Sequence, residues 1–558
     1  MRLPRSWNVL LVVLAGSVCT FASAYNARPK LVVVIVIDQF RGDYLERYRD
    51  QFSEGGFRLF LDRGAYFTDC NYDYANTRTA PGHATLFTGT YTSGHGIIAN
   101  EWWDPQKKKR VTSVEDDATK LVGSRSPGIG ASPINLTSDT LGDELKLATG
   151  GKARVFAISL KDRAAVLPAG FSGDAAYWID PKNGDWITST YYRPDLPAWV
   201  RNFNESHRAE KYWNREWKDS NGAVIASTAP RNSKDGTPAG FYEVVGSTPF
   251  ANDYQMDFAR ELVLYEKLGA GPTTDLLVIS LSANDILGHQ VGPDSPQMRS
   301  MVLELDRQLA DFFDFLGHQI GMASVWMALS ADHGIAPLPE FAKTLRLPAA
   351  NLDSKDLRER MNSLLAKKYD KKADYVLAID YPMAWLNAEA FIGTLGGKDE
   401  SVAEDNVGEA MKQLGWAGYF TKSQLARGDI PPTEIGRRYA HSYSPEGGFY
   451  VIGISRPFQV GVTRGTDHAT PFSYDTHVPL AFYGLVFQPG VYRTHAEPID
   501  LAVTLASLLG INAPTAATGR VLTEALQPPA RHSASPSGAP SYVQPGTPPA
   551  KPPGGGIQ

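Results

Sequence analysis

Residues Lys30–Ile37 read KLVVVIVI, an unbroken apolar and largely β-branched run. Such a run suits a central strand buried on both faces, since a strand with one face in water would alternate. Asp38 follows directly at its C-terminal end. The figure recurs three times. Asp275–Ser280 precedes Asp285 and His289, Ser324–Ser330 precedes Asp332, His333 and Gly334, and Arg154–Ser159 precedes Lys161 and Arg163. Helical patterns accompany these runs, at about Thr140–Ala148, Tyr254–Leu268, Pro296–Leu316 and Asp500–Leu509. Alternating buried strands and helices predict an α/β fold with a mostly parallel sheet. Ligands of such sheets bind beyond the carboxyl ends of the strands, and the charged residues collect there.

The chain has 558 residues, 43% of them hydrophobic and 21% charged, enough for a sizeable core. Its net charge of -5 lacks the basic footprint of a nucleic-acid binder. Arg2 and Arg5 precede an apolar run, Val9–Val18, and then Ala22, Ser23 and Ala24. This reads as a signal peptide over residues 1–24, because the run is shorter than the roughly 20 residues a membrane span needs. A soluble product in the periplasm or outside the cell is expected, with no transmembrane segment and no requirement for a dimer. Cys70 alone survives cleavage, which excludes an internal disulfide. The catalytic domain is expected over 25–526, with insertions at about 170–250 and 338–455. The Pro-, Ser- and Gly-rich residues 527–558 are expected to form a disordered tail.

Six residues at the strand ends have metal-ligating chemistry: Asp38, Asp285, His289, Asp332, His333 and His468. Carboxylate oxygen and imidazole nitrogen suit zinc. Asp285 and His289 are one helical turn apart, on one side. Six ligands can fill two sites of three, each with the open position that catalytic zinc keeps. Two ions clamp the attacking and leaving oxygens of an in-line phosphoryl transfer. Each residue alone has a blander reading, an Asp as helix N-cap or a His as a structural residue; the combination carries the argument.

Thr79 precedes Ala80 and Pro81, and proline favours the first helical turn, so Thr79 stands at or near a helix N-terminus. It is either an N-cap or a nucleophile whose phosphorylated form the helix dipole and backbone N–H groups stabilise. Taken together, the motifs Ile35–Gln39, Thr79–His83 through Gly89, Asp285–His289, Ala331–Gly334 and His468 ahead of the strand near Pro479 resemble the alkaline phosphatase superfamily. Within it they are most similar to threonine-dependent, single-chain bacterial alkaline phosphatases of the PafA type.

The resemblance implies a three-layer sandwich with inserted cap segments and two zinc ions per chain. One zinc is implied at Asp38, Asp332 and His333 together with Thr79, the other at Asp285, His289 and His468. Thr79 would become phosphothreonine, and water at the second zinc would hydrolyse it. Asn100 would contact a non-bridging phosphate oxygen, and Lys161 and Arg163 would bind the dianionic group of a monoester, as an ammonium and a forked guanidinium can. His477, nine residues after His468, is an alternative sixth ligand. His83 and His95 are read as supporting or structural residues, and Arg78 as a surface charge. The implied function is hydrolysis of small phosphate monoesters. The alternative is a phosphodiesterase or nucleotide pyrophosphatase of the same superfamily, against which Lys161 and Arg163 argue. A sulfatase needs a Cys or Ser at the position Thr79 fills.

Overall fold

The computed structural model describes residues 28–527 apart from 105, 220 and 394–399. The leader assigned to residues 1–24 and the tail beyond residue 527 lie outside them. Among the described residues, eleven strands form one sheet. Five at its middle position the site: β1 (Leu31–Ile37), β2 (Val155–Ser159), β3 (Asp275–Leu281), β4 (Val325–Ser330) and β5 (Leu480–Tyr483), in the order β5-β4-β1-β3-β2. β1 runs parallel to β3 and β4, and β3 parallel to β2, whereas β5 is antiparallel to β4.

Every residue of β1 is fully buried. Its apolar run has no polar face to offer water, so it folds only where strands flank it and helices cover it on both sides. One set of helices contains Thr79–Thr88 (α1), Leu141–Ala148, Asp162–Ala169 (α2) and Asp500–Leu509, packed on one another. A second contains Phe57–Arg63, Pro249–Tyr265, Ala283–Val291 (α3) and Pro296–Gln319. Helices lie on both sides of the sheet. Each Val or Ile buried between them contributes roughly 1.5–3 kcal/mol over its exposed state.

Register aligns the strand ends. Ile37 pairs with Leu281, Val36 with Ser330, and Ser280 with Ser159. Asp38 therefore leaves the sheet beside the start of α3, next to Asp332 beyond β4 and near Lys161 beyond β2. The register turns four distant stretches of sequence into one cluster.

Of the stretch at 170–250, Ala175–Ile179 and Trp186–Ser189 extend the main sheet, because both are buried at every position. Glu216–Lys218 and Val224–Ser227 form a small separate ribbon. Between residues 338 and 455 a second, four-stranded sheet forms, in the order Val376–Asp380, Met383–Leu386, Tyr450–Ile454, Gly418–Thr421. The helices Ser354–Tyr369 and Glu400–Gln413 pack against it, with a core including Leu357, Met361, Val407 and Met411.

The helix Leu141–Ala148 starts in a capping box, Thr140 with Asp143. Asp139 beside it accepts the Thr515 N–H at 2.6 Å and so ties down a C-terminal segment. Burial and the neighbouring Asp139 carboxyl push the Glu144 carboxyl up to about 7. A carboxyl raised in the folded state stabilises fully below its unfolded value, and that contribution is lost as pH rises through the folded one. Glu144→Gln is therefore expected to stabilise the protein at pH 9 by on the order of 2 kcal/mol and to have little effect at pH 4. Denaturant unfolding of both proteins at the two pH values checks this.

Candidate functional site

The site lies beyond the carboxyl ends of β1 to β4. Asp38 is fully buried and follows β1, as Asp332 and His333 follow β4. Asp285 sits in the first turn of α3, with His289 one turn on. The Asp285 Oδ1 to His289 Nε2 distance is 3.1 Å. The His289 Nδ1 pairs with the Thr466 carbonyl at 2.8 Å, which aims Nε2 at Asp285. His468 arrives on a loop. Its Nδ1 pairs with the Thr77 carbonyl at 2.7 Å, and its ring lies 3.8 Å from that of His333 and 5.2 Å from that of His289, centre to centre.

Three groups bring ligand atoms within 4.8 Å of one another: Asp38, Asp332 and His333; Asp285, His333 and His468; and His289, Asp467 and His468. Asp467 is absent from the ligand set expected from sequence, although it adjoins His468. His477 goes elsewhere: its Nε2 pairs with the Thr68 carbonyl at 3.0 Å, and its ring packs on Gly42.

The donor atoms suit metal ions. Asp38 Oδ1, Asp332 Oδ2 and His333 Nε2 are buried without a hydrogen-bond partner. Leaving such atoms unpaired costs roughly 1–3 kcal/mol each, more where charged, and a shared cation removes that cost. Burial, with the adjacent His333 and His289, pushes the His468 pKa well below its ordinary value, and burial lowers that of His333. A neutral imidazole is the ligating form.

Lys161 enters from the N-cap of α2. Its Nζ donates to Asp38 Oδ2 at 2.6 Å and Asp285 Oδ2 at 2.5 Å. Burial opposes its charge, but Asp285 and Asp38 outweigh burial and raise its pKa. Conversely burial, Asp285 and Asp332 raise the pKa of Asp38, while Lys161 and His289 overcome burial to hold Asp285 well below the usual carboxylate range. An ammonium has three N–H donors, so two bonds leave one for another acceptor. Arg163, two residues on, lines the adjoining cleft with Lys161, and its Nε is buried without a partner.

Thr79 is the first helical residue of α1 and is buried. The N-cap is Arg78, which makes no side-chain cap bond. The Ala80 N–H instead donates to Asn100 Oδ1 at 2.8 Å, which fixes Asn100 against the helix start beside Thr79. Arg78 is not a surface charge: it is buried, its Nε donates to Asn76 Oδ1 at 3.0 Å, and it pairs with Asp380 at 3.2 Å. Those bonds tie the start of α1 to the second sheet. His83 is buried one turn into α1, with Nδ1 2.8 Å from the Thr79 carbonyl and 3.3 Å from Asp332 Oδ2. His95 lies deeper, paired with Thr85 Oγ1 at 3.2 Å.

Gln39 is the residue that sequence reasoning missed. Its backbone N–H donates to Asp332 Oδ1 at 3.0 Å and its Nε2 to Asp285 Oδ1 at 2.7 Å. One residue thus orients a carboxylate from each half of the cluster. It does so at a left-handed φ of 64°, a conformation held by the Asn284 Nδ2, which donates to the carbonyls of Asp38 and Gln39. Asparagine and glycine adopt that backbone readily and glutamine does not.

The parallel strand ends, the buried carboxylate and imidazole cluster and a helix N-terminus carrying Thr79 define an alkaline-phosphatase-like α/β protein. The comparisons agree. A family model described as type I phosphodiesterase / nucleotide pyrophosphatase matches residues 32–442, and the chain belongs to that family. It is 32% identical to alkaline phosphatase PafA of Elizabethkingia meningoseptica, over 94% of this chain and 100% of that protein. It is 33% identical to a Myroides odoratus protein named calcium-transporting ATPase, over 93% of this chain and 100% of that one. The crystal structure of wild type PafA superposes with a TM-score of 0.81 at 31% identity, covering 90% of this chain and 99% of that one.

Gly82 lets α1 approach the cluster: a Cβ there would meet the Asp332 carbonyl oxygen at 2.2 Å. Gly82→Ala is expected to cost about 2–4 kcal/mol, since neither backbone can yield without moving Asp332. Equilibrium unfolding in denaturant reads this directly, and an unchanged midpoint contradicts the packing described.

Proposed function

We propose that this protein is an exported phosphatase that hydrolyses small phosphate monoesters, with Thr79 as nucleophile and two zinc ions as cofactors. The observation that carries the reading is Lys161, with Nζ between Asp38 and Asp285 and one N–H to spare. It offers a positive charge to the third oxygen that a monoester has and a diester lacks. The relatives named alkaline phosphatases support the same reaction class.

In this reading Asp38, Asp332 and His333 hold one zinc, with Thr79, and Asp285, His289 and His468 hold the other. Bound there, the ions supply Lewis-acid stabilisation of the entering and leaving oxygens. The remaining work belongs to the chain. The Thr79 Oγ1 attacks phosphorus as the ester P–O bond breaks, its proton leaving with the released alcohol, and water then cleaves the phosphothreonine to free phosphate and restore the hydroxyl. The place of Thr79 at the first turn of α1 puts the transferred phosphoryl group at the positive end of the helix. Asn100, held by the Ala80 N–H, presents its amide N–H₂ to a non-bridging oxygen. Lys161 and Arg163 bind the remaining oxygen. His83 and Gln39 keep Asp332 and Asp285 aimed.

Calcium transport is not the better reading, because no described helix is long and apolar enough to cross a membrane. The phosphodiesterase reading is separated by kinetics. Wild type is expected to prefer a phosphate monoester over a matched diester in kcat/KM. The Lys161→Ala/Arg163→Ala double variant is expected to lose most of that preference, about 10²–10⁴-fold, as hydrogen bonds to charged groups contribute roughly 1.5–3 kcal/mol each. A wild type that prefers the diester, with a ratio the double variant leaves alone, overturns the proposal. Thr79→Ala is further expected to abolish the phosphorylated species that rapid acid quench and peptide mass spectrometry detect in wild type.

A further inference from the structure

His468 reaches the cluster from residues 466–469, which belong to neither a helix nor a strand. The next residue, Ala469, is fully buried at a left-handed φ of 77°. Alanine adopts that backbone at a cost, and it persists only where the surroundings fix it. The fixing bonds come from two residues outside the proposed ligand set. The Thr77 carbonyl accepts the Ala469 N–H at 3.1 Å. The Thr77 Oγ1 donates to the Thr470 carbonyl at 3.0 Å and accepts the Thr470 N–H at 3.1 Å. Asp475 holds the same threonine through its carboxylate. Its Oδ2 accepts the Thr470 N–H at 3.0 Å and the Thr470 hydroxyl at 2.6 Å.

Asp475 lies in the short helix Ser473–Thr476 and is fully buried. Its Oδ1 has no hydrogen-bond partner among the described residues. A buried carboxyl satisfied on one oxygen alone costs stability, so stability does not account for its presence. Its main chain meets the other half of the cluster. The Asp475 carbonyl accepts the Gly334 N–H at 2.7 Å, and the Gly334 carbonyl pairs with His333 Nδ1 at 2.9 Å. The side chain of Asp475 thus acts two residues from His468, and its carbonyl one residue from His333. The rings of those two histidines lie 3.8 Å apart, centre to centre. We propose that Asp475 is a positioning residue that aims His468 at the zinc site shared with Asp285 and His289. The proposal rests on the ligand assignment made above. Because the Thr77 carbonyl takes Nδ1 of His468, Nε2 is the nitrogen left to ligate. Asp475 acts on it through Thr470. Residues that orient ligating imidazoles from behind typically contribute about 10–100-fold to metal affinity.

The test is zinc affinity, measured on the full chain by competition with a chelator. Wild type is expected to give two zinc dissociation constants, and Asp475→Ala to raise one of them about 10–100-fold. Asp475→Asn, which keeps an oxygen for Thr470, is expected to stay near wild type. Thr470→Val removes the hydroxyl at the other end of the same bond with little change of shape. It is expected to raise the same constant by a smaller factor, and it carries the test without removing a buried carboxyl. In a His468→Ala background, Asp475→Ala is expected to add nothing, because the ligand through which it acts is gone. A role in loop stability alone would add its full effect there. Constants left unchanged by both Asp475→Ala and Thr470→Val overturn the proposal. So does an Asp475→Ala effect that persists in full without His468, or an Asp475→Asn variant as weak as Asp475→Ala. A wild type that binds no zinc overturns the ligand assignment, and the proposal with it.

Discussion

Three buried carboxylates, Asp38, Asp285 and Asp332, stand beyond the ends of neighbouring parallel strands, and the surrounding structure has to balance the charge they bring together. Isolated, such charges would not stay ionised in a protein interior. Here Lys161 spans Asp38 and Asp285, Gln39 donates to Asp285 and Asp332, His83 stands beside Asp332, and three imidazoles complete the ring. A site so arranged can hold cations, and the same field repels an anion unless cations are in place. In the proposed reading Lys161 therefore has two duties, one toward the carboxylates and one toward substrate phosphate.

The fold supplies this convergence without long-range design in the loops. Parallel register sets Asp38 and Asp332 one strand apart, and α3 and α2 start from the next two strands. What the loops add is aim. Thr466 and Thr77 offer the carbonyls that orient His289 and His468, and Asn100 reaches over to cap α1. The second sheet, tied to α1 through Arg78 and Asp380, flanks this region from the far insertion.

Much of this was legible in the sequence, for physical reasons. A strand buried on both faces must be apolar throughout, so β1, β3 and β4 announced themselves, and the polar residues just past them had only one edge of the sheet to occupy. The Thr79–Ala80–Pro81 turn likewise signalled a helix start, although it is Arg78 that takes the cap position. Other features depend on tertiary approach. Nothing local marks Gln39 as left-handed, since its conformation is imposed by Asn284 from another strand end. Arg78 looked exposed because its partners, Asn76 carboxamide aside, come from some 300 residues away. Asp467 was passed over beside a more conspicuous histidine. The cleft beside Arg163 is assembled from two hairpins and the first turns of two helices, and no single stretch of sequence encodes it.

The central claim is that the carboxylates and imidazoles form two metal sites. Zinc content by elemental analysis, on extensively dialysed protein, tests it most directly. Wild type is expected to retain two zinc ions per chain, and Asp332→Ala, which removes a ligand of one site only, to retain one. Wild type that retains none under zinc-replete purification, or an Asp332→Ala variant with undiminished content, contradicts the account.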